Sequence, residues 1–500
     1  MRLPACAAAA ALLLSHASAQ PTAAPTVALT IDQCVAGALA KNFTVQISTF
    51  QKDSAEAGVI IAQSVYDPVL GVQWQKTVTR SSDQSIDFAF INDQPVELVG
   101  VYPYDNSTTT TLSAKENLIT GGTVDAQYVL TRDQSSPERY FLNPAYVGDV
   151  SLNVTQPLLQ GAGTDYARAA IEIQRINGRI AGLNLKNSVL SMVFNVETAY
   201  FNVIGAQRQY EVGQAALQQS QQLLDDNSYK RKTGVLTDLD VVQAQAGVAT
   251  SRSQLIGFRQ AMENNEDLLL QAMGEREFKT RVGHIDLPGE PETPVSFDSS
   301  YKIARDNGPN LAIVQATIEQ YQLQALRAKR DALPSLNANG AGGYSAERAN
   351  YGSAFTHVFA GPGYNWQAGV TLSFPWGLRQ SRAALRQVMD NLHGEQATLD
   401  QTDQTLVVNL RSAIRAIFAN RESVAAAQEA ATLSEKQYEL QKAKFDSGLA
   451  TSYDVLQAQN QLESSRLGLI QAQVSLRIAS ADLRFLEGLS LDHYHIDLKS

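Results

Sequence analysis

Two stretches of the chain, TGVLTDLDVVQAQ at 233–245 and SGLATSYDVLQAQ at 447–459, are nearly the same phrase set 214 positions apart. Shifting the sequence by that amount aligns 234–274 with 448–488 without a gap, and 13 of 41 positions are identical, too many for coincidence. The same shift places Arg168-Ala169-Ala170 on Arg382-Ala383-Ala384, Asn177 on Asn391 and Asn195 on Asn409. Two copies that have kept their length over roughly a hundred residues are rods, because loops drift in length and rigid elements do not.

Hydrophobic spacing says what kind of rod. Val189, Val193, Val196, Tyr200 and Val203 step by four and three, and Val407, Leu410, Ile414 and Ile417 repeat the rhythm in the second copy. That is a coiled-coil seam. No proline occurs from 158 to 287 or from 376 to the end. The pattern therefore predicts two helical hairpins, 164–228 with 235–274 and 378–443 with 449–488. At 1.5 Å per residue the longer arm is roughly 95 Å. The seams are diluted with Ala, Gln and Ser, which suits shallow packing between many neighbours.

Ahead of each hairpin the period changes to two. Val150–Leu159 and Gly369–Trp376 alternate apolar with polar residues and run into Pro157 and Pro375, which end a strand because proline cannot donate to the ladder. Earlier strand partners start at Pro68 and Pro334. All three tryptophans (Trp74, Trp366, Trp376) fall in these regions, and aromatics crowd 336–376. Aromatics at the ends of alternating strands mark a barrel girdle in a bilayer; the same residues also fit an exported β-domain. Residues 83–145 add a strand pair around Gly121-Gly122, expected to lengthen outer loops or extend a barrel rim rather than enter the wall. Each half opens alike, with Thr30 capping one helix and Tyr301 starting its counterpart.

The expected organisation is a leader at 1–19 with an A-x-A cleavage site at Ala17–Ala19, a first repeat at 20–280, a linker at 281–300, a second repeat at 301–490 and a tail at 491–500. Its hairpins span 164–274 and 378–488. After removal of the leader only Cys34 remains, so no internal disulfide can form. No run of eighteen apolar residues forms a spanning helix, which leaves a β-barrel open. Lys+Arg 40 against Asp+Glu 50, without a basic cluster, argues against nucleic acid. No phosphate loop, metal motif, cofactor motif or nucleophile with a base occurs, so an enzyme is not expected.

These residues in this order, a leader, a Leu29-Thr30 helix, a strand ending Thr155-Gln156-Pro157-Leu158-Leu159, an Arg168-Ala169-Ala170 helix and a Gly-x-x-x-x-x-Asp-Val turn, all in duplicate, resemble the TolC-like outer-membrane efflux proteins across about 28–490. The resemblance implies an α+β membrane protein. A homotrimer, four strands per subunit, would form a twelve-stranded barrel in outer-membrane lipid, joined to a periplasmic α-helical barrel of coiled-coil hairpins. It implies a passive exit duct for small toxic compounds or secreted polypeptides in a tripartite efflux or type I secretion system. The partners would be a periplasmic adaptor and an inner-membrane pump of RND or ABC type.

It further implies that Gly234, Val235, Leu236, Thr237 and Gly448, Leu449, Ala450, Thr451 are tip turns touching the adaptor. Asp454, Gln457, Asp240 and Phe445 would then lie at the periplasmic entrance. The family's second acidic residue is Gln457 here, and its latch Arg and Tyr are Ala450 and Phe445. An entrance ring would hold one carboxylate per subunit, from Asp454, while Asp240 serves the start of its helix. The rival readings are a periplasmic adaptor, which carries one hairpin, and an exported coiled-coil scaffold.

Overall fold

The computed structural model describes residues 26–27, 29–82, 85–136, 141–278, 281–287, 289 and 295–497; the expected leader lies outside them. In chain order the elements are β1 (Thr26–Val27), α1 (Ile31–Lys41), α2 (Phe43–Gln63), β2 (Val69–Arg80), β3 (Ser85–Ile91), β4 (Gln94–Val101), β5 (Tyr104–Asn117), β6 (Thr123–Ser136) and β7 (Ala145–Pro157). There follow α3 (Thr164–Lys232), α4 (Asp238–Ala272), β8 (Arg281–Val282), α5 (Phe297–Asn307), α6 (Pro309–Asp331), β9 (Ser335–Arg348), α7 (Tyr351–Thr356), β10 (Gly363–Ser373), α8 (Arg379–Asp446), α9 (Ser452–Glu487) and α10 (Ser490–His493). The order helix, strands, long hairpin occurs twice, and the four hairpin arms start and stop within a few residues of the sequence reading. The counterpart helix of the second half begins at Phe297, inside the expected linker.

Two compact units are present: residues up to Val45, Val189–Lys302 and Leu410–Asp497 in one, and Gln46–Ser188 with Ile303–Asn409 in the other. The first unit is helical. Its interior is the predicted seam: Val189, Val193, Val196 and Val203 have no exposed surface, and Leu410 and Ile417 are buried in the second copy. Each such aliphatic side chain contributes about 1.5–3 kcal/mol by leaving water. Duplicated polar braces hold the arms. Ser220 and Ser251 share a 2.9 Å hydrogen bond, and their counterparts 214 residues on, Ser434 and Ser465, do the same. α3 is long and apolar enough by composition to cross a membrane, yet 67% of the relevant window is buried. The seam is therefore core.

At one node of this unit a carboxylate is buried. Glu197 has no exposed surface; its Oε1 accepts from Arg484 Nη2 at 2.6 Å and from Tyr494 Oη at 2.8 Å. Tyr494 lies in the expected tail, so the described part of that tail is tied to α3. Burial, reinforced by Glu197, pushes the Tyr494 hydroxyl well above the usual tyrosine range, so it donates as a neutral group. Cys34 is fully buried and its thiol is pushed up to about 12 by desolvation.

The second unit holds a six-stranded antiparallel sheet in the order β10-β9-β7-β6-β5-β2. This corrects the expectation of four strands. Residues 104–136, read as an outer-loop or rim addition, lie inside the sheet, with β5 paired to β2 and β6 paired to β7. The physical reason is continuity of pattern. One row of cross-strand neighbours runs Val72, Leu112, Tyr128, Val150, Tyr344, Tyr364, and the row behind it on the other face runs Gly71, Ser113, Gln127, Ser151, Gly343, Asn365. In these two rows the added pair continues the apolar and polar faces of its neighbours, although β5 carries Thr108 and Thr110 further along the first face.

The rest of the former insertion forms a separate two-stranded hairpin. β3 and β4 pair around Asn92-Asp93, both at positive φ (51° and 59°), as a two-residue hairpin turn of the primed type requires. Pro157 is the last residue of β7 and Pro375 stands two residues beyond β10. Aromatic groups gather on the apolar face where α7 folds back: Tyr128 meets Phe355 at 5.3 Å between ring centroids, Tyr146 meets Tyr351 at 4.5 Å and Tyr344 meets Phe359 at 5.7 Å.

Candidate functional site

The repeated phrase forms two helix-to-helix turns built on one plan. At each, a glycine ends the incoming helix at positive φ, 78° for Gly234 and 77° for Gly448. The next amide reaches back to close the turn: Val235 N donates to Lys230 O at 2.9 Å, and Leu449 N to Lys444 O at 2.8 Å. This is the left-handed C-terminal cap that favours glycine. Three residues on, a threonine starts the outgoing helix through a reciprocal box. Asp240 Oδ2 accepts from Thr237 N (3.0 Å) and Oγ1 (2.7 Å), while Asp240 N donates to Thr237 Oγ1. Asp454 and Thr451 repeat the pattern at 2.9 and 2.7 Å. Thr451's hydroxyl, then its amide, holds the Asp454 carboxyl below the usual aspartate range. The two aspartates that the copies share are thus both helix-start residues.

The turns do not stand apart. Asn227, buried on α3, donates through Nδ2 to Ser452 Oγ at 2.6 Å on α9 and to Asp240 O at 3.1 Å on α4. Its Oδ1 is buried and has no hydrogen-bond partner. Gln459 reaches the other way, from α9 to Ala216 O (2.9 Å) and Ser220 Oγ (2.7 Å) on α3. Lys230 closes the gap. Its Nζ donates to Phe445 O at 3.2 Å, lies 3.5 Å from Asp446 and sits 3.7 Å from the centre of the Phe445 ring.

Phe445 is only 4% exposed and clusters with Leu223 and Val455, with Leu236 and Ala450 against them. It anchors the turns to each other from beneath. Leu236 and Ala450 share that role, whereas Gln457 is exposed and faces away from the cluster's buried residues. The tips present apolar side chains outward, Val235 at 69% and Leu449 at 79% exposure beside exposed Leu239 and Tyr453, among exposed polar residues such as Lys232, Thr233 and Asp238. Sequence reasoning missed Asn227, Lys230, Ser452 and Gln459. The signal for two of them lay where the copies differ, since Asn227 matches Gln441 and Ser452 matches Asp238 across the 214-residue shift.

Among the described residues no group of His, Cys, Asp or Glu is arranged to hold a metal ion. The family profile described as outer membrane efflux protein matches residues 35–275 and 300–489, and the chain belongs to that family. It is an outer-membrane protein.

Outer membrane protein TolC of Escherichia coli is 23% identical over 325 residues, 63% of this chain and 65% of that protein, so the alignment spans just under two thirds of TolC. Outer membrane efflux protein BepC of Brucella suis is 23% identical over 410 residues, covering 78% and 82%. The solved Campylobacter jejuni CmeC outer membrane channel superposes with a TM-score of 0.68 at 16% identity, over 98% of this chain and 93% of that one. That likeness carries the fold.

Proposed function

We propose that this protein is the passive exit duct of a tripartite efflux or type I secretion system, working as a homotrimer without a catalytic step. The observation that carries the reading is the six-stranded sheet whose one face is an apolar band and whose other face is polar. Such a sheet suits a wall between lipid and water. The exposed Val235, Leu239, Leu449 and Tyr453 at the tips fit docking onto a periplasmic adaptor that couples the duct to an inner-membrane pump of RND or ABC type. Cargo would be small toxic compounds or secreted polypeptides.

At the entrance, each subunit offers one carboxylate, Asp454, with Gln457 one helical turn on. Both aspartates act as caps, so the gate role must be separated from the cap role. Divalent-cation block of the purified protein in a planar bilayer does this. Block is expected in Asp240→Ala and lost in Asp454→Ala; equal block in both variants removes Asp454 from the gate.

A further inference from the structure

The sheet raises a question of closure. β2 and β10 are its two edges, and nearly every residue of both strands is exposed, with Trp74 66% and Trp366 76% exposed. Edge backbone left unpaired inside lipid costs several kcal/mol per group, so a lipid-facing sheet must close on something. An antiparallel sheet with an even number of strands has edge strands of opposite direction. A second copy can therefore bring its β10 against β2 as a further antiparallel pair, and rotation of the same contact closes a ring.

The four strands that continue directly into helices are β2, β7, β9 and β10. The β5–β6 pair is different, because its turn is tucked in. Gly163 N donates to Thr120 O at 3.1 Å, Gln156 accepts from Thr120 Oγ1 through Oε1 and donates to Thr120 O through Nε2, and Asn117 Nδ2 donates to Val65 O at 2.7 Å. Gly121, at φ 86°, lies so close to Gly161 that a Cβ would stand 2.2 Å from its carbonyl oxygen. These contacts tie the β5–β6 turn to the connections between β7 and α3 and between α2 and β2. Leu112 and Ala126 fall on the apolar face, and Ser113 and Gln127 on the polar one.

We propose that three copies join edge to edge, β2 of each against β10 of the next, into a barrel of eighteen strands in which β5 and β6 are lipid-facing wall. The proposal rests on the trimeric duct reading and goes beyond it in strand number and bore. Barrel diameter grows about linearly with strand number, so eighteen in place of twelve widens the bore ~1.5-fold and its cross-section ~2.2-fold.

Single cysteines test it in proteoliposomes of the protein freed of its leader and so of Cys6, since Cys34 is fully buried and stays silent. Leu112→Cys and Ala126→Cys are expected to react with a bilayer-partitioning maleimide and resist a charged one. Ser113→Cys and Gln127→Cys are expected to do the reverse. In parallel, Gln73→Cys is combined with Asn365→Cys, Gln367→Cys or Gly369→Cys, and one combination is expected to give an oxidised covalent trimer. Charged-reagent labelling of all four β5–β6 positions, in a protein that still migrates as an unboiled trimer, overturns the eighteen strands and leaves the duct standing. Absence of any trimer overturns both.

Discussion

Asn227 joins the two turns through one amide, and replacing it with leucine isolates what that junction contributes. Leucine keeps the branched outline of the side chain but withdraws both N–H donors, stranding the buried Ser452 hydroxyl and the Asp240 carbonyl. Two neutral hydrogen bonds are worth about 1 kcal/mol each, and a buried group left unpaired costs about 1–3 kcal/mol. Against this, Asn227 Oδ1 is already buried without a partner, so its removal returns part of the loss. The net expectation is about 2 kcal/mol, or roughly 30-fold in local opening. Hydrogen exchange by mass spectrometry reads it directly. Amides at 237–241 and 451–455 should exchange roughly 30-fold faster in Asn227→Leu, while those near Val196 stay as in the wild type. Pairing with Ser452→Ala should be sub-additive, because both variants remove the same bond. Unchanged exchange, or strict additivity, refutes the junction.

Other perturbations probe separate features. Glu197→Ala strands Arg484 and the Tyr494 hydroxyl and should cost the helical unit about 3 kcal/mol by thermal or chemical unfolding, against about 1 kcal/mol for Tyr494→Phe. Gly234→Ala and Gly448→Ala each force a side chain into the left-handed region and should cost about 1 kcal/mol, read as earlier thermal loosening of the tips. Burial holds the Glu463 carboxyl above the usual glutamate range. Its favourable contribution is therefore complete below the unfolded value of 4.5 and is lost as pH rises through the higher folded one. Glu463→Gln should match the wild type at pH 4 and melt at higher temperature than it at pH 8.

The long helices were legible because a seam such as Val189–Val203 repeats a local rule many times over, and because duplication let each copy check the other. The cap at Thr30 was legible because it is a three-residue event; Thr237 and Thr451 were read only as tip-turn residues, and the structure shows each to cap a helix as well. The place of β5 and β6 was not legible. The threonine run 108–111 ahead of Leu112 and the alternation at 123–130 read alike for a loop hairpin and a wall strand, and the choice depends on partners such as Val72 and Val150, far away in sequence. Nor could spacing show that Phe445 is buried beneath Lys230, because the lysine comes from the other copy of the repeat. At the turns, symmetry suggested a duplicated site. The junction that holds them is asymmetric, with Asn227 and Ser452 having no equivalents in the opposite copy.

Passage through the membrane is the property on which the duct rests. Purified unboiled protein should insert into a planar bilayer as a trimer and give discrete steps of uniform conductance. Failure of that trimer to conduct, or its recovery as a soluble species without membrane insertion, would contradict the duct itself.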